Sequence, residues 1–329
     1  MTSSQKTLLV TGLAFGAAYG IAARLGMSSL TTVSFLFLVP AALGAVPLLM
    51  ADPDQIRSFR NIMFIPWVAI LSMFALMAAL RVERLGCFLL FLIPFIVAAV
   101  LAMLITFLVC VVRGSRIKSQ KRKAAAAVIA LLPFVIAPLE EHYSTSERTV
   151  EVGSSVLIAA SAERIWPQLG NVETIRDSEY EAGFFNTVMG IPRPIRASVD
   201  REGVGARRRG EFSDGLVFDE RVGVYERPSR LAFDIAVDAG QLVPGSVERH
   251  ALSEGYFRFV DATYELEPAG PQHTRLKLSS RYVLRTSVNW YGELWASAII
   301  GDFQDRVLAV LQKRCSDTNS PASDAVAAR

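Results

Sequence analysis

The chain has 329 residues, of which 52% are hydrophobic and 20% charged, with 34 Lys and Arg against 31 Asp and Glu. The basic excess is confined to one half: through Leu139 there are 12 Lys and Arg against 3 Asp and Glu, leaving 22 against 28 for the remainder. An acidic second half with no basic stripe lacks the charge that phosphate backbones demand and excludes a nucleic-acid partner, and a single cysteine there, Cys315, excludes a disulfide framework or thiolate zinc site within it.

A membrane crossing takes about 20 apolar residues at about 1.5 Å rise each. Five segments approach that length: Thr7 to Ala23, Leu30 to Met50, Met63 to Leu80, Cys87 to Val112, and Ala124 to Leu139. They predict an α-helical transmembrane bundle of about five spans over residues 1–139. The first segment follows Lys6 as a signal peptide would, but four more apolar segments favour an anchor. The fifth carries Pro133 and Pro138, which a membrane helix tolerates when neighbours satisfy the freed carbonyls. Arg113 to Lys123 holds six positive charges and no acid. Because Lys and Arg are retained on the cytoplasmic side, that loop, Lys6, Arg57 and Arg60 fall inside and Arg24, Arg81 and Arg84 outside. The expected location is therefore the plasma membrane, multi-pass, with a cytoplasmic amino terminus and an extracytoplasmic carboxy-terminal domain. If the fifth segment only dips into the membrane, that domain is cytoplasmic instead. No span holds an internal ionisable residue, which argues against an ion pathway and for an anchor or a bundle that meets a membrane-protein partner.

Residues 140–148 are polar and read as a linker, followed by a second domain at 149–315 and a small, polar, disordered tail at 316–329. Val150 to Ala159 is rich in β-branched residues and predicts a strand, and Ser161 is placed to cap a short helix running to Leu169. From Ile195 strand follows strand, with turns at Glu202-Gly203, Ser213-Asp214-Gly215, Arg227-Pro228-Ser229 and Pro268 to Pro271. Ser287 is placed to cap a last helix. Trp295, Ile299, Phe303, Val307 and Leu311, with Leu294, Ala298, Leu308 and Val310 beside them, make one wide core-facing stripe on it.

A strand, short helices, a run of antiparallel strands and one long closing helix is an α+β order. The segments Val156 to Trp166, Asp200 to Gly210, Phe218 to Val222, Asn289 to Trp295 and Asp302 to Leu308 resemble the SRPBCC superfamily. Its members include START, Bet v 1-like and polyketide cyclase/dehydrase-like proteins, and the resemblance covers roughly Glu147 to Arg314. It implies a helix-grip fold, a curved antiparallel sheet around a long C-terminal helix, with a cavity between them that commonly takes an apolar ligand.

Strand alternation places Phe218, Glu220, Val222 and Val224 on one face, with Leu231, Phe233, Ile235 and Val237 on that of the next strand. A carboxylate on such a face needs a partner or a raised pKa, and Arg208, aligned with Ala206, Gly210 and Phe212, is placed to supply one. Tyr264, Ser280 and Tyr282 share the inward set of later strands. Arg208, Glu220, Tyr264, Ser280 and Tyr282 are thus the candidate ligand-binding residues, with no catalytic residue, metal or cofactor assigned. Plainer roles stand beside these: an Arg208–Glu220 structural lock, and Tyr264, Tyr282, Trp166, Trp290 and Trp295 as core. His142, His250 and His273 are scattered without metal-ligand spacing. The leading expectation is a membrane-anchored domain that binds a hydrophobic small molecule or lipid. The alternatives are a cyclase or dehydratase acting on a polyketide-like substrate, and a membrane assembly protein.

Overall fold

The computed structural model describes residues 3–25, 32–50, 59–80, 85–113, 119–143, 146–238, 242, 246–253 and 255–317, in two compact units that divide near Glu147. The first unit is helical: α1 (Ser3–Arg24), a π-helical turn (Ser34–Leu38) continuing into α2 (Val39–Met50), α3 (Phe59–Ala79), α4 (Leu85–Arg113) and α5 (Ser119–Tyr143). Over the described residues, the five apolar segments fall on α1, the π–α2 helix, α3, α4 and α5 in turn. Among the described residues, however, only Gly86–Val112 and Gln120–Glu140 are long and apolar enough to cross a membrane; Leu9–Ala18, Ser34–Met50 and Pro66–Ala79 are shorter. A bundle of about five spans is therefore not supported. Over the described residues the apolar stretches of α1, the π–α2 helix and α3 run only from Leu9 to Ala18, Ser34 to Met50 and Pro66 to Ala79, under the about 20 residues that a crossing takes. The stretch 114–118 of the basic loop lies outside the described residues.

Small residues set the packing inside this unit. A Cβ on Gly12 would meet the Ala69 carbonyl at 2.7 Å and one on Gly44 would meet the Ala99 carbonyl at 2.1 Å, so α1 approaches α3, and α2 approaches α4, backbone to backbone. The ends of the π–α2 helix are closed by α5. At one end the Glu140 carboxylate accepts from the Ser34 N–H (3.0 Å) and hydroxyl (2.8 Å), and at the other Arg122 Nη2 donates to the Leu48 carbonyl (3.1 Å). Acid at a helix amino terminus and base at its carboxy terminus both complement the macrodipole. Ile93, Val97, Leu101, Ile105, Leu108 and Val112 of α4 instead point outward and are exposed.

The second unit is a seven-stranded antiparallel sheet and one long helix. Its strands are β1 (Glu147–Ile158), β2 (Pro194–Val199), β3 (Arg207–Phe212), β4 (Val217–Glu226), β5 (Arg230–Asp238), β6 (Phe257–Pro268) and β7 (Thr274–Arg285), in the order β1-β7-β6-β5-β4-β3-β2. Short helices α6 (Ala162–Ile165), α7 (Pro167–Gly170) and α8 (Phe184–Thr187) bridge β1 to β2, α9 (Val247–Ser253) lies between β5 and β6, and α10 (Asn289–Asp317) closes the chain. This is the helix-grip arrangement. The predicted linker is shared between neighbours, since α5 carries through Tyr143 and β1 opens at Glu147, and of the predicted tail residues 318–329 lie outside the described residues. Ser161 occupies the N-cap of α6 without a side-chain capping bond, and α9, unforeseen among the strands, starts behind Ser246, whose hydroxyl accepts from the Arg249 N–H at 3.3 Å.

The core lies between sheet and α10. Leu231, Phe233, Tyr264, Leu276 and Leu278 pack there with Val307, Leu308 and Leu311. Two expectations fail locally. A bulge between Val222 and Val224 inserts a residue in β4, so Tyr225, not Val224, pairs with Leu231 and packs on the core, its ring edge-on to Trp166 at 5.3 Å. On α10 the buried stripe begins later than predicted: Trp290 (59% exposed) and Leu294 (61%) face solvent and Trp295 is half-buried, whereas Trp166 is buried. In the first two turns Ala296 packs against the Tyr282, Leu284 and Ile300 cluster, while Trp290 and Leu294 lie on the opposite, solvent side.

The connection between β1 and β2 is fastened to α10 by charge. Glu179 accepts from Arg314 Nε (2.9 Å) and Nη2 (3.0 Å) and from the Arg176 N–H (2.8 Å), and those donors hold its carboxyl down at about 2. A depressed carboxyl stabilises the fold fully above its unfolded value near 4.5 and loses that contribution as pH falls toward 2. Wild type should therefore exceed Glu179→Gln by about 1–2 kcal/mol at neutral pH, allowing for solvent screening. Unfolding curves measured from pH 7 down to 2 should converge.

Candidate functional site

Two polar groups interrupt the apolar interface. The first is made by register: β3 and β4 pair so that Arg208 stands directly opposite Glu220. Both are buried, at 7% and 6% exposure. Arg208 Nη1 donates to Glu220 Oε2, its Nε donates to the Gly170 carbonyl at the end of α7 (3.0 Å), and its guanidinium carbon lies 4.9 Å from the Phe233 ring centroid. Such a cation over an aromatic face is attracted by the ring quadrupole. Gly210 lies beside the pair, where a Cβ would sit in contact with Glu220 Oε1 at 3.4 Å. Tyr264, its ring 6.1 Å from that of Phe233, feels both charges.

Burial pushes the Glu220 carboxyl above the ordinary carboxylate range, against the pull of the Arg208 charge and hydrogen bond. For Arg208, burial works against the cation, but Glu220 and then Tyr264 outweigh it, and the guanidinium is held charged. Burial likewise raises the Tyr264 phenol. The site is thus a fixed cation beside a carboxylate whose proton affinity is enhanced, on a floor of aromatic rings.

The second group lies across the sheet. Register aligns Val222, Phe233, Ala262, Ser280 and Val152 in one row across β4, β5, β6, β7 and β1. Ser280 Oγ accepts from Gln304 Nε2 at 2.9 Å, and the same nitrogen donates to the Val152 carbonyl at 3.2 Å. Gln304 is fully buried on α10, and among the described residues its Oε1 has no hydrogen-bond partner. Strands are spaced about 4.8 Å apart. Ser280 and Phe233 therefore sit about 10 Å apart, with the small Ala262 between them.

The structure thus divides the five predicted residues. Arg208, Glu220 and Tyr264 come together; Ser280 joins Gln304. Tyr282 belongs to neither group: its hydroxyl pairs with Ser297 Oγ at 2.8 Å and its ring stacks on Phe257 at 5.0 Å. Gln304 escaped the sequence reading because an amide does not register in an apolar stripe. The signal was its position, four residues after Ile300 and four before Leu308, both of which are buried.

No family model and no curated protein matches the chain. Solved structures that resemble it do so over about half its length. They include the Zhui aromatase/cyclase from Streptomyces, at 14% identity over 54% of this chain and 99% of that one, with a TM-score of 0.35. A START superfamily protein from Mycobacterium smegmatis matches at 14% identity over 51% of this chain and 98% of that one, with a TM-score of 0.34. Norcoclaurine synthase from Thalictrum flavum matches at 15% identity over 54% and 91%, with a TM-score of 0.32. Each likeness covers about half of this chain, at an identity and TM-score that say nothing of activity.

Proposed function

We propose that the chain is a membrane-anchored binding module that holds a hydrophobic small molecule or lipid between the sheet and α10. The observation that carries this reading is the Arg208–Glu220–Tyr264 group, buried in an apolar interface with its cation stacked over Phe233. Apolar binding sites characteristically combine aromatic walls with a few polar groups that orient the ligand. The resemblance of the quoted segments to SRPBCC proteins supports the same ligand class. Anchoring is supported by the outward apolar faces of α4 and α5, where Val128, Leu131, Val135 and Leu139 continue the exposed set. A surface of that kind is costly in water and at home in lipid. An anchor raises the effective concentration of a site toward ligands dissolved in the bilayer. With the basic loop at the cytoplasmic face of the plasma membrane, the second unit lies on the opposite side.

Native mass spectrometry of the full chain, extracted in mild detergent from washed membranes, should show a copurified apolar molecule that leaves on Arg208→Met/Glu220→Leu. A chain that washes off membranes at high pH, or one that carries nothing, overturns the reading; protease added to intact cells should cut the second unit. Glu220 favours one second reading. A buried carboxylate with raised proton affinity suits general acid–base work. Turnover abolished in a folded Glu220→Gln variant would make the site an enzyme's.

A further inference from the structure

Among the described residues, an unmet acceptor is the least expected feature of the α10–sheet interface. Gln304 uses both of its amide donor contacts locally, on Val152 and Ser280, and these fix the amide so that Oε1 is the atom left over. Exchanging the amide oxygen and nitrogen would set an oxygen against the Val152 carbonyl, so the assignment is forced by the acceptor it faces. A buried acceptor without a donor is a standing cost that an apolar side chain of the same size would avoid. Gln304 stands four residues from Ile300 and from Leu308, where an apolar residue would pack without penalty. It also lies over the row that runs through the small Ala262 to Phe233 and the ring beneath Arg208.

We propose that the Gln304 carbonyl, held beside Ser280, is a hydrogen-bond acceptor for the bound molecule, and that this molecule is an apolar compound carrying a hydroxyl or N–H donor. The inference rests on the apolar-ligand reading above and adds the chemistry of the ligand's polar end. Ser280 acts as a positioning residue, since it engages the amide nitrogen and leaves the oxygen for the ligand. Discrimination follows from the geometry. A ligand with a donor satisfies Oε1, whereas one whose donor is capped leaves the acceptor buried and unpaired, the situation in which binding sites reject analogues most strongly.

The test uses the full chain in lipid nanodiscs, titrated with 2-naphthol and with 2-methoxynaphthalene, which replaces the donor with a methyl ether; empty nanodiscs are subtracted. Wild type should bind the naphthol at least about 10-fold more tightly, and Gln304→Met should reduce that preference to less than about 3-fold while still binding both. Gln304→Leu serves the same purpose if the Met variant does not fold. Equal affinity of the two probes in wild type overturns the proposal while leaving the apolar site standing, as expected if a trapped water satisfies Oε1. A preference that survives in the variant overturns it too, by placing the donor contact elsewhere. Binding of neither probe overturns the apolar-site reading together with this one.

Discussion

Arg208→Met is expected to destabilise the second unit by about 3–5 kcal/mol, the cost of leaving one member of a buried ion pair alone. Glu220 then keeps the full desolvation penalty and loses the cation and hydrogen bond that oppose it. Its carboxyl therefore rises further. A carboxyl raised in the folded state above its unfolded value binds more protons when folded. The penalty in Arg208→Met should accordingly be smallest in acid and grow as pH climbs from about 4.5 through the raised folded value. Adding Glu220→Leu should recover most of the loss at neutral pH, because packed apolar side chains escape both desolvation terms. Hydrogen exchange of the β3 and β4 amides across the four-protein cycle measures the coupling. Additive single-variant costs would mean that the two side chains do not share an interaction. A double variant that is stable and empty is the expected result and makes the pair a clamp; one that retains its ligand makes it a lock.

The second large effect is expected on α10. Leu308 is 1% exposed within the main core, and truncation to Ala should cost about 3–4 kcal/mol, the lost transfer energy plus the cavity left behind. Leu294, with 61% exposure, provides the contrast: Leu294→Ala should stay within about 0.5 kcal/mol. Phe303 is half-buried against Phe212, with ring centroids 5.7 Å apart, and Phe303→Ala should fall between the two. Exchange of the β6 and β7 amides in the full chain reports the unit's own free energy without requiring both units to unfold together. A silent Leu308→Ala would contradict the sheet-and-helix core. A costly Leu294→Ala would put the first turns of α10 in an interface.

Much of this was legible in the residues because side-chain direction in a strand has a period of two. Arg208, Glu220 and Phe233 were assigned to the core face by alternation alone, and the opposition of Arg208 and Glu220 across β3 and β4 follows that pattern. The α+β order and the long closing helix were legible from the change of period from two to 3.6. Tertiary structure decided what periodicity cannot carry. The bulge that exchanged Val224 for Tyr225 depends on the pairing demands of β5, information that β4 does not contain. A stripe wide enough to include Leu294 and Leu308 equally does not say how much of it the sheet will cover; the seating of α10 left Leu294 in solvent and buried Gln304. In the first unit, composition by itself placed five apolar segments on helices, whereas only two of those helices offer a membrane-length apolar stretch over the described residues. The Gln304 acceptor belongs to the same class: its chemistry is printed in the sequence, but its burial without a donor exists only once α10 has settled on Ser280 and Val152.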